Sequence, residues 1–351
     1  MRKKLKVLIV DDSALVRQIL CEVFAKDPGL EVVGMAADPY AAWQKIKAVH
    51  PDVLTLDVEM PRMDGVAFLE KLMCAHPMPV VMISSLTEKG CETTLRALEL
   101  GAIDFVTKPK IDIRNGTIEM ADEIIAKVKV AGRALPRRRE PFKIEQQKPA
   151  KILRSDALVK STHKVIAVGA STGGTEALRE LLTTLPADCP GLIVVQHMPE
   201  KFTCSFAERL DSLCQIRVKE ARDGDRILPG HALIAPGNYH MIVTRSGAEY
   251  SVRVFMAEPV NRHRPSVDVL FESCARYLGS NAVGVILTGM GNDGARGLLA
   301  MHQAGARTIA QDEASCVVFG MPKEAIALGG VDEVVGLDHI AAAVTRQLIL
   351  N

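Results

Sequence analysis

Short β-rich runs and helical patterns alternate strictly through the first third of this chain. KVLIV, EVVGMA, DVLTLD, PVVMIS and DFVT, each bounded by turn residues, read as strands. Ser13–Lys26, Pro39–Val49, Val66–Ala75 and Cys91–Leu100 read as helices, and a last helix follows Thr117. That order predicts an open, doubly wound parallel sheet with helices on both faces. Ligands of such sheets bind outside the carboxyl ends of the strands. The residues that close each strand are therefore the first candidates for chemistry.

The alternation resumes later with different lengths. KVIAVGA leads into a helix at Thr175–Leu185, LIVVQH into one at Phe202–Leu213, and AVGVILTG into one at Asp293–Ala304. HALIAPG, MIVTR and YSVRVFM lie close together and suggest antiparallel additions, with Ser246-Gly247 as the turn between the last two. Charge marks the seam between the two halves. Residues 1–131 carry 17 basic and 19 acidic residues, residues 132–161 carry 9 and 3, and residues 162–351 carry 17 and 20. The middle stretch is basic, contains prolines and lacks apolar periodicity, so it reads as a linker. The expected plan is a domain at 1–131, a tether at 132–161 and a second α/β domain at 162–351.

Composition narrows the class. The 351 residues are 48% hydrophobic with a formal net charge of +1. No global field draws such a chain to nucleic acid or anionic lipid. The apolar runs are strand-sized, far short of the ~18 residues of a membrane span, so no membrane insertion is expected. The opening MRKKLKVLIV is cut off by Asp11 and Asp12 too soon for a signal peptide. Eight cysteines without a C-x-x-C pair suggest reduced, mostly buried thiols in a cytoplasmic protein.

In the first domain Asp11 and Asp12 end one strand and Asp57 ends another, so three carboxylates converge. Such crowding calls for a cation, and oxygen ligands suit Mg²⁺. Ser84 ends the fourth strand and can donate to a phosphoryl oxygen, while Lys108 follows the fifth and supplies positive charge. A carboxylate beside Mg²⁺ and Lys is a plausible phosphoryl acceptor. The simpler role of Asp11 and Asp12 is to cap the next helix. VDDS at 10–13, LDVEMPRMDG at 56–65, ISS at 83–85 and VTKP at 106–109 together make the segment resemble a response-regulator receiver domain, flavodoxin-like in fold. The resemblance implies that Asp57 is phosphorylated, that Asp11, Asp12 and Asp57 bind Mg²⁺, and that Ser84 and Lys108 read the phosphoryl group. Phe105 occupies the family's aromatic switch position without a phenol.

In the second domain GASTG at 169–173 fits G-x-S-x-G between a strand and a helix. That setting exposes a serine at a helix N-terminus, where backbone N–H groups can hold an oxyanion. It equally fits a phosphate-binding turn, although the Lys of a P-loop is missing. Among the histidines of this domain, His197 stands at the carboxyl end of an apolar strand and can serve Ser171 as base. His231 and His240 precede strands, which puts them at the opposite edge if those strands run parallel, and His263 is a loop residue and possible substrate contact. Asp293 and Asp312 both follow strand ends and both suit the third role, orienting the histidine.

VGASTGG at 168–174, QHM at 196–198, RPSVDVLF at 264–271 and TGMGNDGA at 288–295 resemble the catalytic domain of the chemotaxis protein-glutamate methylesterases. With the receiver and linker the resemblance covers nearly the whole chain. It implies Ser171 as nucleophile, His197 as base, Asp293 as orienter, and Thr172 and Met290 as backbone donors to the oxyanion. It also implies hydrolysis of glutamyl methyl esters on chemoreceptors, deamidation of receptor glutamines, and a chemotaxis histidine kinase as phosphodonor. A phosphorylatable domain tethered to a hydrolase suggests occlusion relieved by phosphorylation. Two rivals are a DNA-binding regulator, disfavoured by the net −3 of residues 162–351, and a dinucleotide enzyme, disfavoured by Gln196-His197 where an acid is needed.

Overall fold

The structure is a computed structural model that describes residues 3–61, 63–85, 87–108, 117–134 and 164–349. Two compact units divide the chain. The expected tether lies mostly outside the described residues, as does Pro109 of the VTKP motif.

The N-terminal unit runs β1 (Leu5–Val10), α1 (Ala14–Ala25), β2 (Leu30–Ala36), α2 (Pro39–Val49), β3 (Val53–Asp57), α3 (Gly65–Ala75), β4 (Val80–Ser84), α4 (Glu88–Glu99), β5 (Asp104–Thr107) and α5 (Thr117–Ala131). Its sheet is wholly parallel in the order β2-β1-β3-β4-β5. β3 and β4 are buried along their whole length, which explains their nearly unbroken aliphatic character. Each fully buried Val, Leu or Ile there contributes roughly 1.5–3 kcal/mol. Polar residues in the loops after the strands start the helices: Ser13, Asp38, Asp64 and Thr87 accept from backbone N–H groups of the first turns of α1, α2, α3 and α4. The order reverses at β1, so the crevice opens above the ends of β1 and β3.

The C-terminal unit runs β6 (Val165–Ala170), α6 (Gly174–Thr184), β7 (Gly191–Gln196), α7 (Phe202–Asp211), β8 (Arg217–Glu220), β9 (His231–Ile234), β10 (His240–Ser246), β11 (Glu249–Phe255), α8 (Val267–Tyr277), β12 (Ala282–Ile286), α9 (Ala295–Gln303), β13 (Arg307–Gln311), α10 (Met321–Ala327), β14 (Glu333–Val335) and α11 (Leu337–Ile349). Seven strands form a parallel sheet in the order β14-β13-β12-β6-β7-β9-β8. β10 and β11 form a separate antiparallel hairpin. Its two central residues are Gly247 and Ala248, one position later than the sequence suggests, with Gly247 at φ 60°.

Two expectations are corrected here. HALIAPG is not an antiparallel addition: β9 pairs in parallel with β7 and β8, because its apolar residues complete the buried sheet. The cysteines are not mostly buried, since Cys91, Cys189 and Cys274 alone are buried while Cys74 and Cys204 are exposed. β6 lies between β7 and β12, so this sheet too reverses its order at the first strand of the unit, and a second crevice opens there.

Candidate functional sites

Above β1 and β3, Asp11, Asp12 and Asp57 each offer a carboxylate oxygen, and the three atoms lie within 4.8 Å of one another. Arg17 holds the first two in place by donating to the backbone carbonyls of Asp11 (2.8 Å) and Asp12 (3.0 Å). The α3 N-terminus closes the other side. A Cβ on Gly65 would lie 1.9 Å from the Asp57 carbonyl oxygen, so only glycine lets this helix approach.

Asp11 and Asp57 are fully buried, and Asp12 is exposed. Burial pushes the Asp57 carboxyl up to about 6, against the pull of Lys108 and with a contribution from Asp11. Burial also raises Asp11, more than Lys108 and the Ser13 N–H lower it. Lys108 Nζ donates to Asp57 Oδ2 at 2.7 Å and lies 3.9 Å from Asp11 Oδ2. Burial works against the Lys108 charge, but the Asp57 hydrogen bond and the neighbouring carboxylates hold its ammonium above the usual lysine range. Asp11 Oδ2 is buried with no hydrogen-bond partner among the described residues. Three hard oxygen donors, one of them unsatisfied, fit a divalent cation such as Mg²⁺.

The side chains of Ser84 and Phe105 have other neighbours than the carboxylates, although the Ser84 carbonyl accepts from the Lys108 N–H at 2.7 Å. Ser84 Oγ lies 2.6 Å from Thr94 Oγ1 and within bonding distance of the Ser85 and Gly90 carbonyls, so its hydroxyl faces α4. Phe105 is buried, with Lys127 Nζ 5.3 Å from its ring centroid and donating to its carbonyl at 2.8 Å.

In the second crevice, the parallel ladder of β6 and β7 pairs Ala170 with Gln196. The His197 N–H continues it to the Ala170 carbonyl at 3.1 Å, so Ser171 and His197 follow at neighbouring strand ends. Ser171 N–H donates to the Thr288 carbonyl (3.0 Å), and Gln196 Nε2 donates to the Ser171 carbonyl (3.0 Å). Gly173, at φ 77°, turns the chain into α6. Thr172, next to Ser171, starts that turn. Met290 follows Gly289, where a Cβ would lie 2.8 Å from the Ser171 Cβ, so the loop after β12 passes directly beside the serine.

Asp293 Oδ2 lies 2.8 Å from His197 Nε2. Its other partners are Ser266 Oγ (2.7 Å), the Val267 N–H (2.6 Å), Asn261 Nδ2 (2.7 Å) and the Asp268 N–H (3.3 Å). Burial alone would raise this carboxyl, but His197, Asn261 and Ser266 outweigh it and hold Asp293 below the usual carboxylate range. His197 Nδ1 is buried without a hydrogen-bond partner among the described residues. Asp312 instead accepts from the N–H and hydroxyl of Ser315, both in its own loop. The structure thus brings Asp293 to His197 and leaves Asp312 in a local turn.

His240 belongs to this site's support rather than to an opposite edge, because β10 lies outside the parallel sheet. Its Nδ1 accepts from the Ser266 N–H at 3.3 Å, and Ser266 in turn bonds Asp293. Asn261, Ser266 and Asp268 are absent from the sequence-derived site. Ser266 carries a readable signal, a Ser N-cap before the apolar helix VDVLF. Asn261 carries none.

Together these features define a class: a two-unit α/β protein with a pocket of three carboxylates and a lysine on one sheet, and a serine, a histidine and an aspartate gathered at the strand ends of the other. The family model "CheB methylesterase" matches residues 166–344, and "Response regulator receiver domain" matches residues 7–115. The chain is 58% identical over 350 residues to a protein-glutamate methylesterase/protein-glutamine glutaminase of Nitrosomonas europaea, covering 99% of this chain and 97% of that one. It is 61% identical over 345 residues to a protein of the same name from Pectobacterium atrosepticum, covering 98% and 97%. The crystal structure of the Thermotoga maritima CheB methylesterase catalytic domain superposes with a TM-score of 0.52 at 38% identity, covering 54% of this chain and all of that one. The chain belongs to the CheB methylesterase family and carries its receiver domain.

Proposed function

We propose that this protein hydrolyses γ-methyl esters of specific chemoreceptor glutamates, releasing methanol, and deamidates specific receptor glutamines. The observation that carries the reading is the His197 ring. Asp293 occupies Nε2 at 2.8 Å, and the buried Nδ1 is left for a serine at the adjoining strand end. The names of the relatives supply the substrate class.

Ser171 Oγ bonds to the ester carbonyl carbon as His197 Nδ1 takes the hydroxyl proton. Asp293 keeps the proton on Nε2 and offsets the imidazolium charge. The carbonyl oxygen, now anionic, accepts from the Thr172 and Met290 N–H groups. The bond to the methoxy oxygen breaks, and His197 returns the proton so that methanol leaves. Water then loses a proton to His197 and attacks the glutamyl–Ser171 ester. Ser171 departs with that proton, leaving a glutamate carboxyl. Glutamine follows the same course with ammonia as leaving group.

Asp57 is the phosphoacceptor, supplied by the chemotaxis histidine kinase, and its phosphorylation raises the hydrolytic rate. Asp11, Asp12 and Asp57 would hold a Mg²⁺, whose charge would offset that of the acidic pocket. Lys108 supplies the fixed countercharge, and Ser84 and Phe105 respond to the phosphoryl group. No described helix is long and apolar enough to cross a membrane. In this reading the enzyme works in the cytoplasm, on receptor segments that face it. Domain limits of 1–131 and 162–351 with a tether between them complete this reading.

Methanol release from methylated chemoreceptor membranes tests it. The wild type releases methanol and Ser171→Ala does not. Equal release by both would remove the assignment of the nucleophile.

A further inference from the structure

His263 lies flat against His197, with ring centroids 3.7 Å apart and planes inclined by 10°. The segment that delivers it is a closed two-residue turn. Val260 and His263 exchange both backbone hydrogen bonds, at 3.1 and 2.9 Å. The residues between them, Asn261 and Arg262, have φ values of 52° and 67°. Consecutive positive φ is the geometry of a type I′ turn, and an arginine gains nothing from it. Such backbone persists where surrounding bonds over-determine it.

Those bonds lead back to the same carboxylate. Asn261 Nδ2 donates to Asp293 Oδ1 at 2.7 Å and to Asp268 Oδ2 at 2.8 Å. Asp268 also accepts from the Gly297 N–H at 2.7 Å, tying the turn to α8 and α9. On the far side Arg264 donates to Asn238 Oδ1 and to the Ala257 carbonyl. Asp293 therefore fixes the His197 ring by its edge and, through Asn261, anchors the turn that covers its face.

The geometry points to His263 as a positioning residue for His197, a reading that rests on the esterase assignment. Its flat face prevents the imidazole from swinging about its Cβ–Cγ bond. Nδ1 then keeps one orientation at the strand end next to that of Ser171 while the proton moves to it and on to the leaving group. An aromatic face against a ring that becomes cationic is also attractive, so the stack favours the protonated intermediate.

The test uses the full chain with His263→Ala, His263→Leu and His263→Phe. Leucine fills the volume without a flat face, and phenylalanine keeps the face without the nitrogens. Two rates are read: methanol release from methylated receptor membranes, and labelling of Ser171 by a fluorophosphonate probe. The expected result is a fall of about tenfold in kcat and in labelling for Ala and Leu, with KM within about twofold of wild type. Phe recovers most of the loss. Leu performing as well as Phe would reduce His263 to a space filler. A rise in KM with kcat retained would make it a substrate contact. Either result overturns the proposal. Absence of methanol from the wild type would count against the esterase assignment instead, and the labelling series would still decide the role of His263.

Discussion

Asp293 bonds His197 through Nε2, at 2.8 Å, and the other ring nitrogen, Nδ1, is buried with no hydrogen-bond partner among the described residues. The orientation follows from packing. Asp293 is fixed by Ser266, the Val267 N–H and Asn261, and it presents one oxygen toward β7.

Asp293→Asn should therefore be severely impaired. An amide presented to Nε2 either offers N–H against N–H or reverses the tautomer, which removes the acceptor from Nδ1. In a comparable triad the change costs about 10⁴ in kcat, and a loss of about 10³–10⁴ is expected here with KM within about threefold. Steady-state methanol release measures both, and a loss below tenfold would remove Asp293 as orienter.

The same carboxyl gives the catalytic unit an acid limit. Its pKa is depressed in the folded state, so the unfolded chain binds the proton first as pH falls. The stability it contributes is complete above the unfolded value of about 3.9 and is lost as pH drops through the folded value. Urea midpoints of wild type and Asp293→Asn should differ fully at pH 6, and the gap should begin to narrow only below about pH 4. A difference that grows with acid would contradict the sign.

The acidic pocket makes the opposite prediction. Burial raises both Asp11 and Asp57, Asp57 to about 6, so both are poorly accommodated as bare carboxylates at neutral pH. Mg²⁺ should raise the thermal midpoint of the receiver in wild type. Asp11→Asn should raise it in chelator and abolish most of the Mg²⁺ response. An undiminished response in the variant would take Asp11 out of the ligand set.

Gly65 is tested by its own contact. A methyl group placed 1.9 Å from the Asp57 carbonyl oxygen forces α3 or the end of β3 to move. Gly65→Ala should cost about 1–3 kcal/mol of receiver stability and slow phosphate incorporation at Asp57. Wild-type values for both in the same preparation would show that the loop relaxes freely.

Much of the site is legible in the sequence because parallel strands place chemistry at one edge. Asp11, Asp57, Ser171 and His197 all close or immediately follow strands whose apolar runs are unmistakable, so their convergence follows from alternation alone. The carboxylate that bonds His197 is not legible that way. Asp293 and Asp312 follow neighbouring strands β12 and β13, so strand ends do not separate them; the family resemblance points to Asp293, and the packing of the β12 loop against the start of α8 brings it to His197. The error at HALIAPG has a related cause. Its spacing to β10 is hairpin-like, yet its partners are β7 and β8, which lie earlier in the chain. β8 and β14 are four and three residues long and carry little periodicity to detect. Asn261 and His263 reach the site from a turn in irregular chain, where no periodic pattern points inward.

In the function proposed above, a phosphoacceptor on one sheet governs ester hydrolysis on the other. The decisive measurement is methanol release from receptor membranes verified as methylated, by wild type, Ser171→Ala and Asp57→Asn, each with and without a small-molecule phosphodonor and Mg²⁺. Release should require Ser171 and rise with phosphodonor in wild type but not in Asp57→Asn. A wild-type rate indifferent to phosphodonor, with Asp57 shown to be phosphorylated, would contradict it.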